Sequence, residues 1–200
     1  MIQELKKMCC DLQFDRDYAL QLLREVDPNT VFSASHVPGY THPATLLSEA
    51  AENANIPMVE LLLKNGADPN LIFDDGTENV LWNLQYPGDD LNDNAARLQI
   101  AQLMLEYGAN PQIVVENESL FSYVLFTVFN DDVDDLWKYR VQFFILLVAF
   151  GGKAHHCVPK IVKEFDKSNM RQYRFYMVPE GNGLYSGIIV DKDINVFAYL

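Results

Sequence analysis

A mainly α fold, built as a helical-repeat solenoid and closed by a small C-terminal β-meander or hairpin cap, is what the sequence predicts. Three observations carry that expectation. Apolar helical segments that stop at a glycine recur at a near-constant spacing, none of them can bury its apolar stripe alone, and only the stretch after Cys157 changes to short aromatic and β-branched runs.

Three segments align: VELLLKNGADPN from Val59 to Asn70, QLMLEYGANPQ from Gln102 to Gln112, and ILLVAFGGKAH from Ile145 to His155. Their glycines, Gly66, Gly108 and Gly151, stand 42 and 43 residues apart. An earlier copy, QLLREVDPN from Gln21 to Asn29, has Val26 and Asp27 where the glycine turn is expected, and its Pro28 precedes Pro69 by 41 residues. Glycine can end a helix in the left-handed conformation, and the proline that follows in three of the four copies prevents continuation. The pattern predicts positive φ at Gly66 and Gly108, with Pro69 and Pro111 opening extended segments. It also predicts that Leu61, Leu62, Leu103, Met104, Leu146 and Leu147 lie buried, since they repeat two positions of one helix.

The run AAENANIPMVELLLKNGADPN, from Ala50 to Asn70, resembles the second half of an ankyrin repeat almost position for position. Asp74-Asp75-Gly76 leading to Val80-Leu81-Trp82 is similar to the hairpin and helix start that follow in that family. The usual Thr-Pro-Leu-His helix start is largely replaced: Thr45-Leu46-Leu47-Ser48 keeps the threonine and one leucine, and Glu78-Asn79-Val80-Leu81 departs further. The resemblance covers roughly residues 1–157 and is strong from Thr45 to Gln112. It implies stacked helical pairs and a role in binding other proteins, with the partner set by surface residues.

The usual period of that family is about 33 residues, so surplus residues must be placed. Tyr86–Asn94 and Asn130–Asp135 are polar and turn-prone and read as extended loops between paired helices. Val31–Pro43, with Pro38-Gly39, reads as an enlarged hairpin or finger between copies. Beyond Cys157, Ile161–Asp166 finishes a helix. Gln172–Val178, Leu184–Val190 and Ile194–Tyr199 read as two or three short strands, with Glu180-Gly181-Asn182-Gly183 as a hairpin turn. The domain expectation is ankyrin-like repeats over 1–157 and a packed cap over 158–200.

Twenty-eight Asp and Glu against fifteen Lys and Arg leave a net charge of −13, which repels phosphate backbones and favours a basic surface. Nucleic acid is therefore not the expected partner. No apolar run approaches the roughly 20 residues that span a bilayer, the opening residues lack the pattern of a signal peptide, and three cysteines make a poor disulfide framework. These features lead us to expect a cytoplasmic monomer with no membrane partner.

His155-His156-Cys157 is the one crowd of ligand-type residues, but it lacks further ligands at zinc spacing and reads as a turn. Cys9 and Cys10 near Lys6 and Lys7 could be reactive, because a cation favours the thiolate; helix packing is the expectation. No phosphate loop, nucleophile elbow or metal-binding helix is found. Phe121, Tyr123, Phe126, Phe129, Trp137, Phe143, Phe144 and Phe150 read as core of the last helical pair, against the alternative of an aromatic interface.

The expected function is a non-catalytic protein–protein interaction module, with no cofactor and no metal, of the inhibitor or immunity type toward a basic partner. The partner-binding residues expected are Asp89, Asp90, Asp93, Asp131, Asp132, Asp134 and Asp135, since Asp90 and Asp132 lie one repeat apart. Two other classes remain. One is an enzyme or ligand-binding protein with a site between the last repeat and the β-meander, where His155, His156, Cys157 and Tyr185 would be first candidates. The other is a structural part of an assembly joined through an edge strand.

Overall fold

Helix starts in this chain are set by short polar side chains that accept from backbone N–H groups two or three residues on. In the computed structural model, which describes residues 1–37, 40–88, 91–130, 135–152, 173–181 and 184–191, Asp15 caps α2 (Arg16–Leu23) and Asn55 caps α4 (Ile56–Lys64). Thr45 and Ser48 form a reciprocal capping box for α3 (Leu46–Glu52). The chain is mostly helical, and it divides into two units, Met1–Asn110 and Pro111–Leu200.

In the first unit, α1 (Ile2–Cys9) and α2 precede a hairpin of β1 (Phe32–Val37) and β2 (Tyr40–Ala44), then α3 and α4. A 3-10 turn at Asp74–Gly76 leads to α5 (Val80–Asn83) and α6 (Leu91–Glu106). The finger expected from Val31–Pro43 is this antiparallel hairpin, with Phe32 opposite Ala44 and Ala34 opposite His42. Lys6 ties it to α1: its ammonium donates to the Ser33 carbonyl at 3.2 Å and lies 4.4 Å from the Phe32 ring centroid. The core of the unit is Leu5, Leu46, Ala50, Met58, Val59, Leu62, Leu81, Ile100 and Met104, all 0 % exposed.

In the second unit, a two-residue hairpin joins β3 (Val114–Val115) to β4 (Glu118–Ser119) ahead of α7 (Leu120–Asn130) and α8 (Asp135–Ala149). Its turn residues, Glu116 and Asn117, have φ of 49° and 67°. Sequence reasoning did not single it out, because neither residue is the glycine that marks such turns. β5 (Tyr173–Gly181) and β6 (Leu184–Asp191) form an antiparallel hairpin, and β6 runs beside α8. Phe121, Phe143 and Phe144 are fully buried, with the Phe121 and Phe144 rings 5.0 Å apart, so these aromatics are core. Phe150 is exposed, and Tyr123 is half-buried. The expected helix end at Ile161–Asp166 and third strand at Ile194–Tyr199 lie outside the described residues.

The glycine turns are as expected, the prolines are not. Gly66, Gly108 and Gly151 have φ of 91°, 90° and 87°. Pro69 and Pro111, however, sit in tight turns instead of opening extended segments; at the first, Leu71 N–H returns to the Asp68 carbonyl at 3.2 Å, a geometry that the fixed proline φ suits. The expected loop from Tyr86 to Asn94 is also shorter, since Leu91 to Asn94 already belong to α6. Two local interactions extend that helix: Asp93 pairs with Arg97 one turn on, and buried Asn94 accepts from Gly88 N–H at 2.7 Å. Asn130 and Asp135 are likewise helical.

Candidate interaction surface

The four-residue turns that follow the first two helical pairs share one hydrogen-bond pattern. In Asp27-Pro28-Asn29-Thr30 the Asp27 carboxylate accepts from Asn29 N–H at 2.9 Å, and its carbonyl accepts from Thr30 N–H at 3.1 Å. Asp68-Pro69-Asn70-Leu71 does the same at 2.8 and 3.2 Å. The glycine-less first copy therefore folds like the second, because aspartate supplies the local bond that holds the turn.

Asparagine then fastens one copy to the next. Asn29 donates to the Gly66 carbonyl at 3.1 Å and accepts from Asp68 N–H at 2.7 Å. Asn70 donates to the Gly108 carbonyl at 2.9 Å and accepts from Asn110 N–H at 2.6 Å. The two bonds of each amide engage the carbonyl of the left-handed glycine and the backbone N–H two residues after it. Sequence reasoning gave Asn29 and Asn70 no role; the signal that could have found them is an asparagine directly after the turn proline in the first two copies, Pro28-Asn29 and Pro69-Asn70. Fully buried Asn55 and Asn79 make further ties of the same kind. Asn55 donates to carbonyls of Met8, Cys9 and Asp11 while capping α4, and Asn79 donates to those of Pro69 and Leu71 while capping α5.

Of the seven aspartates expected to bind a partner, Asp89, Asp90, Asp131, Asp132 and Asp134 lie outside the described residues. Asp135 is the first residue of α8. Asp93 stands in the first turn of α6 and not in a loop; it is half-buried, and its carboxylate accepts from Arg97 Nε at 3.0 Å. His155, His156 and Cys157 are outside the described residues, and Tyr185 is on β6.

The two cysteine thiols at the end of α1, Cys9 and the capping Cys10, are not primed for attack. Burial, then the Glu49 carboxylate and Cys10, push the Cys9 thiol far above its ordinary range, and its Sγ donates to the Leu46 carbonyl at 3.4 Å. Cys10 is exposed, yet partial desolvation and Glu49 raise its pKa against the opposing effect of Lys6. A cation is present as the sequence suggested, but it is outweighed.

Among the described residues no group of three or more His, Cys, Asp or Glu is placed to hold a metal ion. A hollow lined by Ser48, Ala51, Glu52, Val80, Asn83, Leu84 and Arg97 has a volume of about 20 Å³, enough for a water molecule and far below what an organic ligand occupies. No described helix is long and apolar enough to cross a membrane.

No curated protein matches the chain. A family model described as ankyrin repeat matches residues 42–71, the stretch that holds the end of β2, the capping-box helix α3, the asparagine-capped α4, the Gly66 turn and the Asp68-Pro69-Asn70 clamp. The ankyrin-repeat resemblance read from the sequence is thus carried by a repeat at residues 42–71.

Proposed function

We propose that this chain is a non-catalytic protein–protein interaction module whose consecutive copies stack as an ankyrin-like solenoid. The observation that carries the reading is the paired clamp, Asn29 on the Gly66 turn and Asn70 on the Gly108 turn. Such clamps stiffen an array of helical pairs and hold its loops in fixed positions, which serves recognition of a large surface better than turnover of a small substrate. In this reading residues 1–157 supply the repeats and residues 158–200 the cap.

The finer reading is an inhibitor or immunity-type protein for a basic partner, gripped partly by Asp89, Asp90, Asp93, Asp131, Asp132, Asp134 and Asp135. The net charge of −13 supports it. Like charges among these aspartates repel one another, and a Lys- or Arg-rich surface relieves that repulsion as it docks, which mainly raises the association rate.

Photo-crosslinking tests the module itself. A photoreactive residue placed at exposed Thr77 or Glu116, positions on the hairpin turns, is expected to give discrete protein adducts in the native cell extract. Absence of any protein adduct from both positions overturns the reading. With the partner in hand, changing the seven aspartates to asparagine should slow association at low salt and flatten its salt dependence. An unchanged rate and slope would remove these aspartates from the contact surface.

A further inference from the structure

The repeat register places one branched apolar side chain outside the core in each copy. Val31, Ile72 and Val114 all stand three residues after the turn proline, and they are 47 %, 40 % and 53 % exposed. The next residue turns inward in the last two copies, Phe73 at 6 % and Val115 at 2 %, as the alternation of an extended segment requires. A single exposed valine needs no explanation. Exposure at the same register position in three copies is a pattern.

Within the first unit, Val31 and Ile72 belong to adjacent copies whose turns are hydrogen-bonded through Asn29, and β2 lies beside the Asp74–Gly76 turn. The two side chains therefore stand on one edge of that unit. Their setting is acidic: Asp27 and Asp68 are exposed one residue before each proline, and Asp74 follows Ile72 by two. Between Arg24 and Arg97 the sequence holds twelve Asp or Glu and a single Lys or Arg, Lys64, which pairs with Glu60. A second copy of this chain would meet its own field there, and a phosphate backbone would be repelled in the same way.

We propose that Val31 and Ile72 are the apolar anchors of a docking strip for an extended segment of a partner protein in which apolar side chains alternate with lysine or arginine. The strip offers one anchor per copy, so the bound segment runs across the copies. Asp27, Asp68 and Asp74 meet its cations, and the two branched side chains bury its apolar residues. Charge sets the rate of encounter, and the anchors set the residence time. This rests on the interaction-module reading and adds the partner's chemistry to it.

The test uses two capped peptides of equal charge, one alternating lysine with valine and the other lysine with serine, titrated calorimetrically into the full chain. The lysine–valine peptide is expected to bind at least about tenfold tighter to the wild type, as burial of central apolar anchors predicts. In V31S/I72S that preference should vanish while the lysine–serine peptide binds as before. D27N/D68N/D74N should weaken both peptides. Both anchors are exposed, so V31S/I72S should keep the wild-type melting profile; if it does not, V31T/I72T retains the branched shape and replaces it. A variant that keeps the full preference for the lysine–valine peptide overturns the strip, and so does a wild type with no preference. If the Thr77 and Glu116 adducts persist in that case, the module reading stands without the strip. If the adducts are absent, the module reading falls, and the strip as a docking site for a partner protein falls with it, whatever the peptides show.

Discussion

Asn55 has both ends of its amide engaged: Oδ1 accepts from Met58 N–H at 3.1 Å, and Nδ2 faces the Met8, Cys9 and Asp11 carbonyls at 3.0, 3.1 and 3.0 Å. Replacing it with alanine removes a helix cap and leaves carbonyls at the end of α1 without their donor, so Asn55→Ala should cost about 2–4 kcal/mol. Asn55→Asp keeps the cap but sets a carboxylate against carbonyls and should recover little. Chemical unfolding checks both; a midpoint within error of wild type would remove Asn55 from this role. Asn70 is only half-buried, and Asn70→Ala, read the same way, should cost about 1 kcal/mol. The thiols make a separate prediction. In a Cys157→Ser background, iodoacetamide at mildly alkaline pH should label exposed Cys10 more slowly than an unstructured cysteine, because its pKa is raised. Cys9 should be labelled only in denaturant, since burial keeps it protonated. Mass spectrometry that finds both labelled at one rate in the native protein would contradict the burial of Cys9.

The three glycine-ended helices close with one hydrogen-bond pattern. Ala67, Ala109 and Gly152 N–H groups reach back to the Leu62, Met104 and Leu147 carbonyls at 3.0, 2.9 and 2.7 Å, and the glycines themselves bond to Leu63, Leu105 and Val148 at 3.3, 3.1 and 3.0 Å. These paired bonds are the Schellman closure. They explain why the expectation of buried leucines is met at one position and not the other. Leu62, Met104 and Leu147, four residues before each glycine, are all 0 % exposed, because the closure tucks that turn against the core. One residue earlier, Leu61 is buried at 1 %, whereas Leu103 and Leu146 are half-buried. Leu62→Ala should therefore cost about 2–5 kcal/mol, and Leu103→Ala distinctly less. Equal shifts in the unfolding midpoint would show that the register argument fails. Gly152→Ala is a sharper probe of the last closure, since a Cβ there would fall 2.4 Å from the Phe121 ring and 2.7 Å from the Leu147 carbonyl. An overpacking loss of about 1–3 kcal/mol is expected in thermal melts.

At the scale of the whole chain the dominant physical quantity is charge. A net −13, with most of the imbalance between Arg24 and Arg97, means that folding gathers carboxylates that the unfolded chain keeps further apart. Self-repulsion of this kind is screened by salt, because the Debye length falls from about 30 Å at about 0.01 M to about 8 Å at about 0.15 M. The melting temperature should therefore rise over that range of sodium chloride. A fall would indicate that favourable ion pairs such as Asp93 with Arg97 outweigh the repulsion. The apolar strip belongs to the same balance, for an acidic surface attracts a basic segment but cannot select its register without the anchors.

Sequence alone determined the parts of this protein that depend on neighbours close in the chain. The glycine turns, the helical stretches before them and the finger from Val31 to Pro43 follow from local spacing and the left-handed preference of glycine, and the ankyrin-repeat resemblance is carried by the letters from Ala50 to Asn70. Local too, but missed, were the hairpin at Glu116-Asn117, whose positive φ values fall on residues that tolerate them without advertising them, and the early start of α6, which an ion pair one turn away tips from loop to helix. Tertiary structure decided the rest. Which leucine of each pair is buried depends on the helix packed against it, and whether Lys6 activates Cys10 depends first on how far folding desolvates the thiol and then on Glu49, a residue of α3. Asn29 and Asn70 became clamps only when the next copy presented a glycine carbonyl within reach. Such distances arise between residues some forty positions apart, where periodicity says that two segments are alike but cannot say which atoms of one will meet those of the other.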